Sequence, residues 1–283
     1  MSGTARRALP ALGMVPFLGY LTIFLFIPTI VIIVGAFEDH GHASLANVEA
    51  LGTAPVLHAL RQSLVVSAST AVVGAVLGGL LAYAVVTGRP DGMLRRAVTS
   101  VCGVLAQFGG VMLAFAFIAT VSFSGSLTTL LKDTVGVDIS GAWLFDVPGI
   151  ILVYTYFQIP LMVIVFLPAL DGLRVQWREA AENLGASTWQ FWRHVGGPLL
   201  LPAFLGSTLL LFANAFASYA TAAALVSQGN PIIPLFIRAA LTSEILLGRQ
   251  NLAYALSLEM VVVVAIVMGL YALLVRRTSR WLR

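Results

Sequence analysis

Six stretches of mostly apolar residues, each long enough to cross a bilayer, dominate this chain of 283 residues. They lie at about 12–36, 62–87, 98–123, 147–170, 201–226 and 251–275. A spanning helix needs roughly 20 such residues. One water-soluble core could not hide this much apolar surface. Of the residues, 59% are hydrophobic and 10% charged, against about 25% charged in a soluble domain. In lipid each backbone polar group must find its partner within the segment, and these runs are too continuous for barrel strands. The sequence predicts an all-α polytopic membrane protein, a single transmembrane domain over 1–283.

Charge sets the expected orientation. With the N-terminus inside, twelve arginines fall on the cytoplasmic side, among them Arg6, Arg7, Arg89, Arg95, Arg96, Arg174, Arg178 and Arg193. Only Arg61, Lys132, Arg238 and Arg249 fall outside. This positive-inside bias predicts that both termini and the connection 171–200 are cytoplasmic. The net charge of +4 is thus explained by a membrane face, and no nucleic-acid partner is expected. The first apolar stretch is longer than a signal-peptide core and reads as an uncleaved anchor. Cys102 is the one cysteine, so no intrachain disulfide or cysteine-based metal site is expected. His40 and His42, beside Asp39, read as solvated loop residues.

The connection from Asp171 to about Leu200 has helical composition. Trp177, Ala181 and Leu184 share one face at i, i+4, i+7. The pattern restarts after Gly185 with Trp189, Trp192 and Val195, and Gly197-Pro198 is expected to end it. Pro202 falls near the start of the fifth span, where a helix tolerates proline. The prediction is a short helix, a hinge at Gly185, a second short helix and re-entry into the membrane. Three tryptophans suit the membrane–water boundary. An interfacial anchor would explain them, but not the small patch of Ala180, Ala181, Gly185 and Ala186, which lets another backbone approach.

Glu179-Ala180-Ala181, then Gly185-Ala186, Val195, Pro198 and Pro202, resemble the EAA loop of permease subunits of binding-protein-dependent ABC importers. Ile159 through Leu170 is similar to the span that leads into that loop. Leu184 to Ser187 looks most like the branch serving polyamines and its thiamine, iron, phosphonate or sulfate relatives. The likeness is specific over about 150–202, and Gly197 departs from the usual apolar residue before the first proline. The resemblance implies a type I importer permease of the bacterial inner membrane. It implies a coupling helix in which Glu179 pairs with polar groups of an ATPase, Gly185 permits the turn, and Ala180, Ala181 and Ala186 form contact surface. The implied partners are two ATPase subunits, a second permease (identical or homologous), an extracytoplasmic binding protein and the lipid bilayer. No cofactor is expected in this chain. Lys132, its only lysine, is followed by Asp133, so no Walker A lysine is available. Binding of ATP and Mg is expected in the ATPase, and the chain is not expected to be an enzyme.

Polar residues within spans are costly facing lipid and mark candidate paths. Gln107, Gln158, Asn214, Tyr219 and Glu259 are the candidates here. Interhelical hydrogen bonding is the competing role for the amides, and Gly78-Gly79 and Gly109-Gly110 read as close-packing sites. The expected substrate is a small solute, polyamine-like by resemblance, although a polycation would want more than one intramembrane acid. Two other readings stay open at this point. An ion-coupled secondary transporter would need coupling-ion ligands at the midplane. A non-transporting assembly protein would need none of the path residues.

Overall fold

The computed structural model describes residues 15–39, 41–88, 92–136, 141–226, 232–242 and 250–279. Arg6, Arg7, His40, Arg89, Arg249 and the turn at 228–231 lie outside them. Nearly all described residues are helical, and six helices are long and apolar enough to cross a membrane. The chain divides into two compact units, one of Met1–Leu57 with Phe236–Val262, the other of His58–Leu235 with Val263–Arg283.

In the first unit, helix α1 (Val15–Ala36) is exposed along most of its length. A two-residue hairpin follows, β1 (Glu38–Asp39) antiparallel to β2 (His42–Ala43). The carbonyl of Glu38 accepts hydrogen bonds from the side-chain amides of Asn47 (2.9 Å) and Asn251 (2.6 Å). The ring of Tyr254 lies over Gly35, where a Cβ would collide with it.

The second unit holds most of α2 (Ala54–Val86), then α3 (Met93–Gln107), α4 (Gly110–Val121) and α5 (Ser126–Val135). It continues with α6 (Val147–Asp171), α7 (Val175–Asn183), α8 (Thr188–Phe216) and α9 (Ala220–Leu225). Helix α10 (Ile233–Thr242) begins in this unit, and α11 (Gln250–Ser279) ends in it. Helix α6 is the central one. Its Ile150, Val153, Tyr154 and Phe157 are buried with Val66, Leu113, Leu144 and Ala222. Small residues let α2 approach it: a Cβ at Gly78 would lie 2.6 Å from the Ile159 carbonyl oxygen, and one at Gly74 would lie 2.7 Å from Gln158 Cβ. Close backbone approach is how helices gain packing energy in lipid.

Three segments depart from the expected plan. Where one helix was expected at 98–123, α3 ends at Gln107 and α4 begins at Gly110. Gly109 is extended and Gly110 takes φ +73°, a left-handed conformation that costs any residue with a Cβ. Their role is conformational: a Cβ at Gly109 would meet nothing closer than 3.9 Å. Where one helix was expected at 201–226, α8 stops at Phe216 and α9 starts at Ala220. Tyr154 donates a 2.7 Å hydrogen bond to the Ser218 carbonyl in that gap. Finally, Gly197-Pro198 does not end the helix that begins at Thr188. A π-helical turn at Trp192–Gly196 carries it through, with the Gly197 N–H bonded to the Trp192 carbonyl. The surplus residue absorbs the hydrogen bond that proline cannot make and the crowding of its ring. The same device precedes Pro28 in α1, where Thr22–Phe26 is π-helical.

Candidate docking segment and polar cavity

Two features built at helix interruptions stand out. The first is the segment of α7 and the start of α8. Helix α7 ends in a left-handed turn at Gly185, φ +79°. The Ala186 N–H reaches back to the Ala181 carbonyl and the Gly185 N–H to that of Glu182, both at 2.9 Å. These two bonds are the Schellman pattern, and glycine suits its left-handed position. The next helix starts with a capping box: the Gln190 N–H bonds Ser187 Oγ, and Gln190 Oε1 accepts from the Ser187 N–H. The spacing S-x-x-Q carried that signal, and the sequence reading above did not use it.

This segment presents groups that the described residues leave open. Arg178 pairs with Glu182 one turn on, at 2.9 Å. Glu179 makes no hydrogen bond or ion pair with the described residues and is exposed. Ala180 and Gly185 are exposed, and Ala181 and Ala186 half-buried. Leu184 is 87% exposed and Trp189 72%. A helix pair with an unpaired acid, small residues and large apolar tips in the open has the make-up of a contact surface.

The second feature is a cavity of about 300 Å3 within the second unit. Both helix breaks form its wall, through Ala106, Gln107, Gly109 and Gly110 on one side and Asn214, Ala217 and Ser218 on the other, with Phe157 of α6. The structure thus brings Gln107 and Asn214 together. Neither side-chain amide makes a hydrogen bond with the described residues. No ionisable side chain is among the described lining residues. The cavity offers amide, hydroxyl and backbone groups to a small polar molecule.

The other path candidates lie elsewhere. Gln158 is fully buried, with Nε2 donating to the Leu211 carbonyl at 2.7 Å and Oε1 left without a partner among the described residues. It joins α6 to α8 and does not line the cavity. Tyr219 sits in the second break, immediately before α9, and is also absent from the lining. Glu259 belongs to the part of α11 in the first unit, where its Oε2 is buried without a hydrogen-bond partner among the described residues. A larger cavity, about 510 Å3, is bounded by aromatic and aliphatic groups including Tyr83, Phe166, Trp189, Trp192 and Phe204. It holds little polar chemistry for a solute. Among the described residues no group of three metal-ligating side chains occurs.

Comparison with known proteins gives these arrangements a context. Escherichia coli (strain K12) ModB, a molybdenum transport system permease, is 27% identical over 118 residues, 42% of this chain and 50% of ModB. The chain therefore spans only half the length of that relative. CysW of Synechococcus elongatus, a sulfate transport system permease, is 24% identical across 92% of this chain and 87% of its own. The fold is shared with a chain of a bacterial alginate ABC transporter crystallised with an alginate pentasaccharide-bound periplasmic protein. That match has a TM-score of 0.75 at 19% identity and covers 96% of both chains. Residues 7–280, nearly the whole sequence, match one family throughout. The chain belongs to the binding-protein-dependent transport system inner membrane components.

Proposed function

We propose that this chain is the membrane-spanning permease subunit of an ATP-driven importer. It forms part of a solute path and couples to a separate ATPase through residues 171–200. The observation that carries the reading is the open docking segment: a rigid turn at Gly185 displaying an unpaired Glu179 beside small residues. Two ATPase subunits, holding ATP and Mg, would dock there, with Glu179 meeting polar groups and Ala180, Ala181 and Ala186 forming contact surface. A second permease, identical or homologous, would complete the path. A binding protein would deliver the solute, as the periplasmic protein in the alginate transporter structure suggests. The arginine distribution supports cytoplasmic termini.

The mechanism is alternating access. Closure of the ATPase dimer displaces the docking segment, the two permeases rock, and the cavity opens outward. Such a lever works only if docking energy differs between the two states. Gln107 and Asn214 are the path residues with the best support, since they face one cavity with free amides. Gln158 would act through the α6–α8 contact and Tyr219 through the second break. Glu259 would contribute from its own span. The solute is a small polar molecule. ModB and CysW are named for molybdenum and sulfate transport, and the absence of an acid among the described residues of the cavity lining favours such substrates over the polyamine suggested by resemblance. No observation favours an ion-coupled transporter or an assembly role.

The test is Glu179→Arg and Gly185→Val in the complete transporter. Both should insert normally, lose co-purifying ATPase and abolish ATP-driven uptake into vesicles. Normal uptake by both variants would overturn the assignment.

A further inference from the structure

Arg95 and Asp171, 76 residues apart in sequence, form an ion pair between Arg95 Nη2 and Asp171 Oδ2. Each charge stands where its own helix disfavours it. Asp171 is the last residue of α6, at the negative end of the helix dipole. Arg95 is in the first turn of α3, at the positive end. Topogenic charge accounts for Arg95 as it does for Arg96, but not for Asp171, the only acid in α6. A surface ion pair contributes little stability by itself. Local preferences broken without an evident local gain point to function.

The positions of the two residues supply that function. Asp171 is followed by Gly172, Leu173 and Arg174 and then by α7, so it stands at the root of the docking segment. From Arg95, α3 runs unbroken to Gln107, twelve residues on or ~18 Å along the axis. There Gln107 enters the cavity wall, two residues before the Gly109–Gly110 break. One helix therefore has its foot tied to the docking segment and its head in the proposed path.

We propose that the Arg95–Asp171 pair is the positioning link through which displacement of the docking segment reaches the cavity. Asp171 draws Arg95, and α3 carries the movement as a strut to Gln107. This rests on the reading of 171–200 as the ATPase-docking element.

The test uses the complete transporter with its ATPase and binding protein in proteoliposomes. Cys102 is replaced by Ala and Gln107→Cys serves as the reporter, labelled with N-ethylmaleimide. In this background, ATP with vanadate should change the labelling rate several-fold. Arg95→Ala, Asp171→Ala and the milder Asp171→Asn should bring that ratio close to one while the ATPase still co-purifies. The charge swap Arg95→Asp with Asp171→Arg should restore at least half of the response. A full response in all single variants, or no response in the parent, would overturn the link. So would a swap that restores nothing. Loss of co-purifying ATPase in Asp171→Asn would also overturn it, by making Asp171 part of the docking surface. Failure of the docking reading itself would show separately, as normal uptake by Glu179→Arg.

Discussion

The docking segment and the polar cavity are both made where helices are interrupted, yet opposite means interrupt them. The docking segment is written in adjacent residues: Gly185 supplies its left-handed turn, and Ser187 with Gln190 starts the next helix. The cavity is written across the fold. One wall comes from the local pair Gly109-Gly110. The other comes from a gap after Phe216 with no glycine or proline in it, whose Ser218 carbonyl is held by Tyr154, 64 residues away. In the role proposed for it, the docking segment must present the same surface in every state, and local bonds secure that. A cavity serving as the proposed path must change shape, and contacts between helices can be exchanged as they move.

The comparison can be broken at three points, the largest effect first. Gly110→Val puts a β-branched residue at φ +73°, where such residues are outliers. The strain of about 1–2 kcal/mol or more should either straighten α3 into α4 or destabilise both. Uptake should fall by at least about tenfold while the ATPase still co-purifies. Unchanged uptake would mean that the first break is dispensable. Tyr154→Phe takes its hydrogen-bond donor from the part-buried Ser218 carbonyl, at a cost of about 1–3 kcal/mol. Its thermal midpoint in detergent should drop and uptake should fall, again with docking intact. Ser187→Ala should matter least, since a lost N-cap costs about 1 kcal/mol. It should weaken ATPase association less than about fivefold and leave labelling at position 107 alone. A larger effect from Ser187→Ala than from Tyr154→Phe would reverse the division drawn here.

The six apolar helices and the Gly185 turn were legible because hydropathy and glycine are local signals. The first break was half legible. Gly109-Gly110 was visible in the sequence, but two glycines in an apolar run fit close packing as well as a kink, and only the positive φ separates the two. The second break was not legible, because Asn214 to Tyr219 contains no breaker and the hydrogen bond from Tyr154 is tertiary. Proline misled in the opposite direction. Pro198 reads as a stop, but the wide turn before it allows the helix to pass. The pairing of Gln107 with Asn214 in one wall depends on how α3 and α8 are set against α6, which no spacing within either helix encodes.

That wide turn has a consequence for aim. Each residue of an α-helix advances the chain by roughly 100° around its axis. A π turn rotates less per residue, so the surplus residue between Trp192 and Gly196 is taken up locally and the part of α8 that begins at Thr188 keeps its bearing on the membrane-embedded remainder. Were those same residues wound as ordinary α-helix, Trp189 and the Ser187 corner would point at a different quarter of the surroundings. The heading of Trp189 and its neighbours is set by the width of one turn.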